Sequence, residues 1–169
     1  MQTIPRPQAM DFLLRWQEKS VIKVISGLRR CGKSTLLLLF REKLQQQGVS
    51  NEQIQSLNFE DLAYDPLASD DHLLYQRLQE RLIPDKMNYI FLDEVQHVQS
   101  FEKVVDSLYI QPNVDLYITG SNAYFLSGEL ATLLSGRYVE LRLLPLSFAE
   151  YCQSAKAQGK TPAQNYREY

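Results

Sequence analysis

The stretch Gly27-Leu28-Arg29-Arg30-Cys31-Gly32-Lys33-Ser34-Thr35 matches the pattern of glycine, four free positions, glycine, lysine and serine that is typical of a phosphate-binding loop, the P-loop. An apolar run precedes it (Val21 to Ile25), and helix-forming residues follow it (Leu36 to Leu44). A strand before the loop and a helix after it distinguish a P-loop from a chance match. The sequence therefore predicts a site for nucleotide phosphates. The alternative is a glycine-rich turn that begins an ordinary helix.

Each position of this loop has a chemical reason. Gly27 and Gly32 allow a tight turn and a close approach of the backbone to phosphate oxygens. The N–H groups of the loop and of the first helical turn have no partner within the helix, so they are available to an anion. Lys33 is expected to neutralise the β- and γ-phosphates, and the Ser34 hydroxyl is expected to bind Mg²⁺. The predicted nucleotide contacts are Gly27, Leu28, Arg29, Arg30, Cys31, Gly32, Lys33, Ser34 and Thr35.

Length and composition are those of one globular domain. The chain has 169 residues, of which 44% are hydrophobic and 22% charged, and its net charge of -2 gives no overall attraction to nucleic acid or to an anionic membrane. Its two cysteines, Cys31 and Cys152, form no disulfide or zinc pattern. The polar N-terminus is unlike a signal peptide, and the run Leu36 to Leu39 is too short to span a bilayer. We therefore expect a cytoplasmic protein without a membrane segment.

Strand and helix patterns alternate five times along the chain, which predicts an α/β fold with a mostly parallel sheet and helices on both faces. In such sheets ligands bind beyond the carboxyl ends of the strands, where Lys33, Asp93, Glu94 and Thr119 are all predicted to lie. The predicted strands are about 20–26, 54–59, 88–94, 115–122 and 139–144. The predicted helices are 8–19, the segment from the loop to about 47, 71–83, 100–109 and 123–134.

An acidic pair ends the third predicted strand. Asp93 and Glu94 follow a continuous apolar run, as expected for a strand buried on both faces, and two carboxylates there are costly unless a cation pairs with them. This is the pattern of a Walker B element. Asp93 is expected to hold Mg²⁺ through its water shell, and Glu94 to orient and deprotonate the attacking water. The alternative is that Asp93 caps the following helix.

The fourth predicted strand ends in the polar tip Thr119-Gly120-Ser121-Asn122. Hydroxyl and amide groups at such a tip can contact the γ-phosphate or the attacking water, which makes Thr119, Ser121 and Asn122 candidates. Ser121 or Asn122 can equally cap the next helix, and both roles are compatible.

Four segments together, SGLRRCGKSTLL, YIFLDEVQ, LYITGSNAYFL and SGRYVELRLLPLSFAEY, resemble a group of prokaryotic AAA-type ATP-binding proteins. The resemblance covers about residues 1–152 and implies an AAA+-like P-loop core, including an N-terminal helix within 1–19, with strand order 5-1-4-3-2. Residues 153–169 are then the start of a linker or downstream segment. Because family members are roughly twice as long, we expect this core to belong to a longer two-part protein and to turn over ATP weakly by itself.

The resemblance also implies roles for individual residues. Lys33 and Ser34 are the phosphate and Mg²⁺ contacts, Asp93 and Glu94 are the Walker B pair, and Thr119 or Asn122 is the sensor. Asn58 is the polar partner that restrains the catalytic glutamate in some members.

The roles of three arginines stay open. Arg137, just before the fifth strand, is predicted to reach a γ-phosphate of its own or a neighbouring subunit, the alternative being a surface pair with Glu129 or Glu140. Arg29 and Arg30 either face phosphate or pin the loop to Asp61 or Glu60.

The predicted function is ATP binding with Mg²⁺-dependent hydrolysis that drives a regulatory or motor conformational change, so ATP, ADP and Mg²⁺ are the expected ligands. One alternative is a nucleotide-binding switch without significant turnover. Another is a P-loop kinase for a small molecule, although no arginine-rich lid is apparent and the adjacent acids favour water activation. A downstream domain, a DNA or protein partner and a homo-oligomer are compatible with the sequence.

Overall fold

The computed structural model of the protein describes residues 4, 6–121, 132, 134, 136–148, 150 and 152. Its five strands form one sheet in the order β2-β3-β4-β1-β5, and every neighbouring pair is parallel. This is the predicted order, and the predicted α/β P-loop fold is confirmed. The strands are β1 (Ile22–Gly27), β2 (Ile54–Asn58), β3 (Asn88–Asp93), β4 (Val114–Ser121) and β5 (Tyr138–Leu143).

Five α-helices have both ends among the described residues, and two of them end earlier than their apolar periodicity predicts. They are α1 (Pro7–Trp16), α2 (Lys33–Gln46), α3 (Asp65–Ala68), α4 (Asp71–Gln79) and α5 (Phe101–Tyr109). Helix α1 ends before Glu18, which has a positive φ of 56° and donates its N–H to Asp115 (2.8 Å). Helix α4 gives way to tight turns because the Asn88 side chain bonds both the N–H (2.8 Å) and the carbonyl (3.0 Å) of Ile83. The helix predicted over 123–134 lies outside the described residues, apart from 132 and 134.

Hydrophobic side chains cover both faces of the sheet, as expected for parallel strands with continuous apolar runs. Helices α4 and α5 pack on one face through Leu74 and Val105. Helices α1 and α2 pack on the other face, where Phe91 stacks on Tyr117 with ring centroids 4.9 Å apart. The central strands β1 and β3 are buried along their whole length. The core therefore fixes both strands whose carboxyl ends carry the predicted site.

A buried ion pair fixes the opposite, amino end of the sheet. Lys23 on β1 pairs with Asp115 on β4, and both side chains are fully buried. Asp115 also accepts a hydrogen bond from the Tyr117 hydroxyl (2.8 Å). Burial lowers the pKa of Lys23, while Asp115 acts in the opposite direction. Because these buried polar groups pair with one another, we assign them a structural role at this end of the sheet.

Candidate nucleotide site

The phosphate loop joins β1 to α2 and requires its two glycines for different reasons. At Gly27 a Cβ would meet the backbone carbonyl of Leu143 on β5 and would lie 2.6 Å from Cys31 Sγ. Gly27 is therefore needed because β5 passes so close. Gly32 has a φ of 97°, a left-handed conformation at the N-terminus of α2 that a side chain would strain. The loop thus turns its backbone into the first turn of a helix, as an anion site requires.

Lys33 begins α2 and is buried, with its ammonium group folded back over the loop. Its Nζ donates to the carbonyls of Gly27 and Leu28, each at 3.3 Å. The same atom lies 3.1 Å from Glu94 Oε1. The P-loop lysine and the second Walker B acid therefore form a direct ion pair, which supplies the cation that the buried acidic pair needs.

Asp93, at the end of β3, lies against groups from two other elements, α2 and β4. Its carboxylate accepts a hydrogen bond from the Thr119 hydroxyl on β4, and the Ser34 hydroxyl on α2 lies close enough to act on the pKa of Asp93. Burial raises the pKa of Asp93, and these two hydroxyls oppose that rise. Carboxylate and hydroxyl oxygens are the ligands that Mg²⁺ prefers, and Mg²⁺ commonly takes only one or two protein ligands beside substrate phosphates. The residues present therefore fit a Mg²⁺ ion held by Ser34 and Asp93.

Glu94 stands at a sharp turn directly after β3. Its backbone is left-handed, with a φ of 58°, which is uncommon for a residue other than glycine. Its N–H donates to the Thr119 hydroxyl at 2.9 Å, so Thr119 holds both members of the acidic pair. Its carboxylate lies between Lys33 and Gln96, whose side-chain amide donates to Oε2 at 2.6 Å. The turn thus aims the Glu94 carboxylate back towards the phosphate loop.

The arginines of the loop face outward. Arg29 pairs with Glu60 at 3.1 Å, and 82% of the Arg29 side chain is exposed, so the pair contributes little stability. The sequence left two alternatives for the loop arginines, a contact to phosphate or a contact to Asp61 or Glu60. Arg29 makes the contact to Glu60. Arg30 adopts a positive φ of 66° within the loop. Arg29 thus connects the phosphate loop to the turn that follows β2.

Arg137 lies far from the phosphate loop. It precedes β5, whose first residue pairs with Ile22 at the amino end of β1. The six residues of β5 place it about 20 Å from the carboxyl end of the sheet. Its guanidinium pairs with Asp106 (3.5 Å) and lies over the Tyr109 ring (5.7 Å). Of the two predicted surface partners, Glu129 lies outside the described residues, and Glu140 accepts a hydrogen bond from Ser26. The structure therefore does not bring Arg137 to a γ-phosphate of its own chain, and a role in a neighbouring subunit stays a prediction.

Two further predicted positions differ in outcome. Asn122 lies outside the described residues, so its sensor role stays a prediction. Asn58 uses its side-chain oxygen to accept the N–H of Glu60 (3.0 Å), within its own turn. The polar partner of Glu94 is instead Gln96, which the sequence analysis included only as the last residue of the segment YIFLDEVQ.

Arg6 is a second residue near the site that the sequence did not predict. Its guanidinium donates to the carbonyl of Cys31 in the phosphate loop (3.2 Å) and to that of Leu144 after β5 (2.7 Å). It also pairs with Glu150 (3.2 Å). These three contacts connect segments far apart in the chain, and no local pattern predicts them.

An open cleft of about 710 Å³ lies in front of Glu94. It adjoins the phosphate loop on one side and the turn after β2 on the other. Its lining is formed by Arg29, Phe59, Glu60, Leu62, Asp65, Glu94, Gln96, His97 and Ser121.

No helix of the described residues is long and apolar enough to cross a bilayer.

A phosphate loop after β1, an acidic pair after β3 and a hydroxyl from the strand between them define a P-loop nucleotide-binding protein. Comparison with known families is more specific. The chain belongs to the AAA domain family, whose model matches residues 19–152. The resemblance drawn from the four sequence segments is thereby confirmed.

Two relatives are similar in sequence to this chain over most of its length. An uncharacterised protein of Haemophilus influenzae is 43% identical over 169 residues, which cover 98% of this chain and 42% of that protein. The uncharacterised protein MJ1544 of Methanocaldococcus jannaschii is 35% identical over 130 residues, which cover 77% of this chain and 28% of that protein. The chain therefore spans less than half the length of these relatives.

Solved structures with a similar fold are more distant. The Aeropyrum pernix ORC1 protein in complex with DNA matches with a TM-score of 0.62 and 14% identity, over 94% of this chain and 50% of that one. The Caenorhabditis elegans protein PCH-2 matches with a TM-score of 0.59 and 18% identity, over 89% of this chain and 46% of that one. At these identities the likeness concerns the fold.

Proposed function

We propose that this chain binds Mg²⁺-ATP and hydrolyses it, and that the cycle drives a conformational change in a longer protein. The observation that carries the proposal is the convergence of Lys33, Ser34, Asp93, Glu94 and Thr119 at the carboxyl ends of three adjacent strands. Membership of the AAA domain family supports ATP as the nucleotide. The sequence also lacks the Asn/Thr-Lys-x-Asp pattern of guanine-specific proteins.

In the proposed reaction each residue has a separate task. The loop N–H groups and Lys33 bind the phosphates, and Ser34 and Asp93 hold the metal. Mg²⁺ bound there supplies positive charge that neutralises the phosphate oxygens. Glu94 accepts a proton from the attacking water, and Thr119 fixes the turn that carries Glu94. Lys33 pairs with Glu94 in the structure. When the Lys33 ammonium group moves to the phosphates, one oxygen of the Glu94 carboxylate becomes free to bind the water.

A nucleotide switch with little turnover is the second candidate. It is favoured by the engagement of both Glu94 carboxylate oxygens, one by Lys33 and one by Gln96. A glutamate held in this way deprotonates water only after it is released from Lys33. The distinction therefore depends on whether bound ATP triggers that release.

The partner of the cycle is proposed only as a class. Arg137 is exposed enough to enter a neighbouring copy, which supports a homo-oligomer in which it contacts the partner's nucleotide. The ORC proteins of similar fold are bound to DNA, but the net charge of -2 gives no overall attraction to it here. Hydrolysis measured with and without DNA, and with the mass in solution, distinguishes DNA from a second copy as the activating partner.

The test of hydrolysis is Glu94→Gln against the wild type, with phosphate release and retained nucleotide both recorded. The proposal predicts that Glu94→Gln binds ATP and retains it unhydrolysed, while the wild type releases phosphate. Gln99→Glu, at an exposed position of the neighbouring segment, is the control and should behave as the wild type. Equal, negligible release from wild type and Glu94→Gln would support the passive switch.

A further inference from the structure

We propose that Gln96 is the positioning residue for Glu94, and that it fixes which carboxylate oxygen meets the attacking water. The inference rests on the proposed function, because it assigns a role within the same site. It starts from one contact: the Gln96 side-chain amide donates to Glu94 Oε2 at 2.6 Å. A carboxylate only accepts hydrogen bonds, so the amide nitrogen and not the amide oxygen faces it.

The two Glu94 oxygens have different partners. Oε1 pairs with Lys33, a residue whose expected place during the reaction is on the phosphates, whereas Oε2 is held by Gln96. When Lys33 passes to the phosphates, Oε1 becomes free and Oε2 does not. Oε1 is the oxygen on the phosphate-loop side, so the bond to Gln96 presents it to a water lying in line with the γ-phosphate. A carboxylate without that bond can rotate away from this orientation.

The backbone prepares this contact. Glu94 has a left-handed φ of 58°, and residues Val95–His97 form a single 3₁₀ turn. That geometry places the Gln96 side chain, two positions later, against the Glu94 carboxylate. The Glu94 N–H is held at the same time by Thr119 (2.9 Å). The turn is therefore fixed at its backbone by Thr119 and at its carboxylate by Gln96.

The other end of the same amide supports a role at the reacting water. Gln96 Oε1 is buried and has no hydrogen-bond partner within the described part of the chain. A buried amide oxygen of this kind is costly unless a donor reaches it. Gln96 also lines the cleft in front of Glu94, where the attacking water must enter. Water is the donor that fits this position, and it would be shared between Gln96 and Glu94.

The experiment uses Gln96→Met, which keeps the length of the side chain and removes its donor and acceptor. Gln99→Met is the matched control, because it makes the same change at an exposed position of the neighbouring segment. We expect Gln96→Met to lower kcat about tenfold, as for the loss of one charge-assisted orienting bond, with KM within about twofold of wild type. Gln96→Glu, which replaces the donor by a second carboxylate, should lower kcat at least as far.

A second readout is independent of turnover. Affinity for ADP with aluminium fluoride and Mg²⁺, which imitates the transferring phosphate, should fall about tenfold in Gln96→Met, while affinity for ADP alone stays unchanged. In a Glu94→Gln background the same Gln96 substitution should cause no further loss of aluminium fluoride affinity, because Gln96 acts through Glu94.

The outcomes separate the two proposals. An unchanged kcat and unchanged aluminium fluoride affinity in Gln96→Met, with a hydrolysing wild type, overturn the role of Gln96 and leave the proposed function standing. A parallel fall in ADP affinity also overturns it, because it indicates general damage to the site. A wild type that binds no ATP overturns the proposed function itself. If Gln96→Met is unfolded, Gln96→Glu is judged by the same criteria.

Discussion

The ion pair between Lys33 and Glu94 allows a prediction that links stability to nucleotide binding. Lys33 Nζ and Glu94 Oε1 are 3.1 Å apart, and the side chains are only 3% and 10% exposed. At that distance an effective dielectric constant of about 20 gives a Coulomb attraction of about 5 kcal/mol before desolvation is subtracted. Removing one partner of such a buried pair leaves the other charge without compensation, at a typical cost of about 3–5 kcal/mol.

We expect Lys33→Met to lower the free energy of unfolding without nucleotide by about 3 kcal/mol, the low end of that range. The low end applies because Gln96 still donates to Glu94 and methionine preserves the apolar stem of the side chain. Glu94→Gln should cost less, since Lys33 keeps its two carbonyl partners. In the double variant the uncompensated charge disappears, so its loss should be smaller than the sum of the single losses by about 2 kcal/mol.

The assay is urea unfolding of all four proteins, with and without Mg²⁺-ATP. Ligand at a hundred times its dissociation constant raises stability by about 2.7 kcal/mol, so the wild type should gain this amount and Lys33→Met should gain almost nothing. Strict additivity of the two substitutions would refute the energetic role of the pair. An equal gain from ATP in wild type and Lys33→Met would refute the phosphate contact.

Three other perturbations test separate parts of the account. In Gly27→Ala the added Cβ meets the Leu143 carbonyl, so the free energy of unfolding should fall by about 2 kcal/mol. A thermal melt measures this, and an unchanged Tm would contradict the close approach of β5. Burial raises the pKa of Tyr117, so the folded chain keeps a proton that the unfolded chain loses above pH 10, and stability should fall as pH rises further. Burial raises the pKa of Tyr89 in the same direction. The lowered pKa of Lys23 has the opposite effect on stability only up to its unfolded value of 10.5, so unfolding measured above that pH reports on the two buried tyrosines together, and a flat profile there would contradict the prediction. Arg6→Met removes the contacts to the phosphate loop and to the segment after β5, and a nucleotide titration should show affinity weakened several-fold, whereas unchanged affinity would make Arg6 a purely local contact.

The site could be predicted from the sequence where its chemistry is local. The spacing from Gly27 to Lys33 and the apolar run that ends at Asp93 each carry their own signal, and strand β3 is buried along its whole length as that run predicts. The strand order followed from the family resemblance, because periodicity alone gives strands and not their neighbours.

The rest depended on contacts between distant segments. Helix α1 stops where Asp115 binds the N–H of Glu18, and no pattern within the helix records that partner. Gln96 reaches the Glu94 carboxylate across a turn that begins at the left-handed Glu94, and no sequence pattern records that turn. The position of Arg137 before a parallel strand already places it at the amino edge of the sheet, so its reach within its own chain was overestimated from sequence.

The central claim is that Lys33, Ser34 and Asp93 meet around one triphosphate and its metal. The most direct measurement is a calorimetric titration of wild type and Asp93→Asn with ATP, with and without Mg²⁺. We predict one saturable site per wild-type chain that tightens at least about tenfold with Mg²⁺, and no such tightening in Asp93→Asn, which keeps the shape but loses the charge. Binding that is absent, or that responds to Mg²⁺ equally in both proteins, would contradict the account.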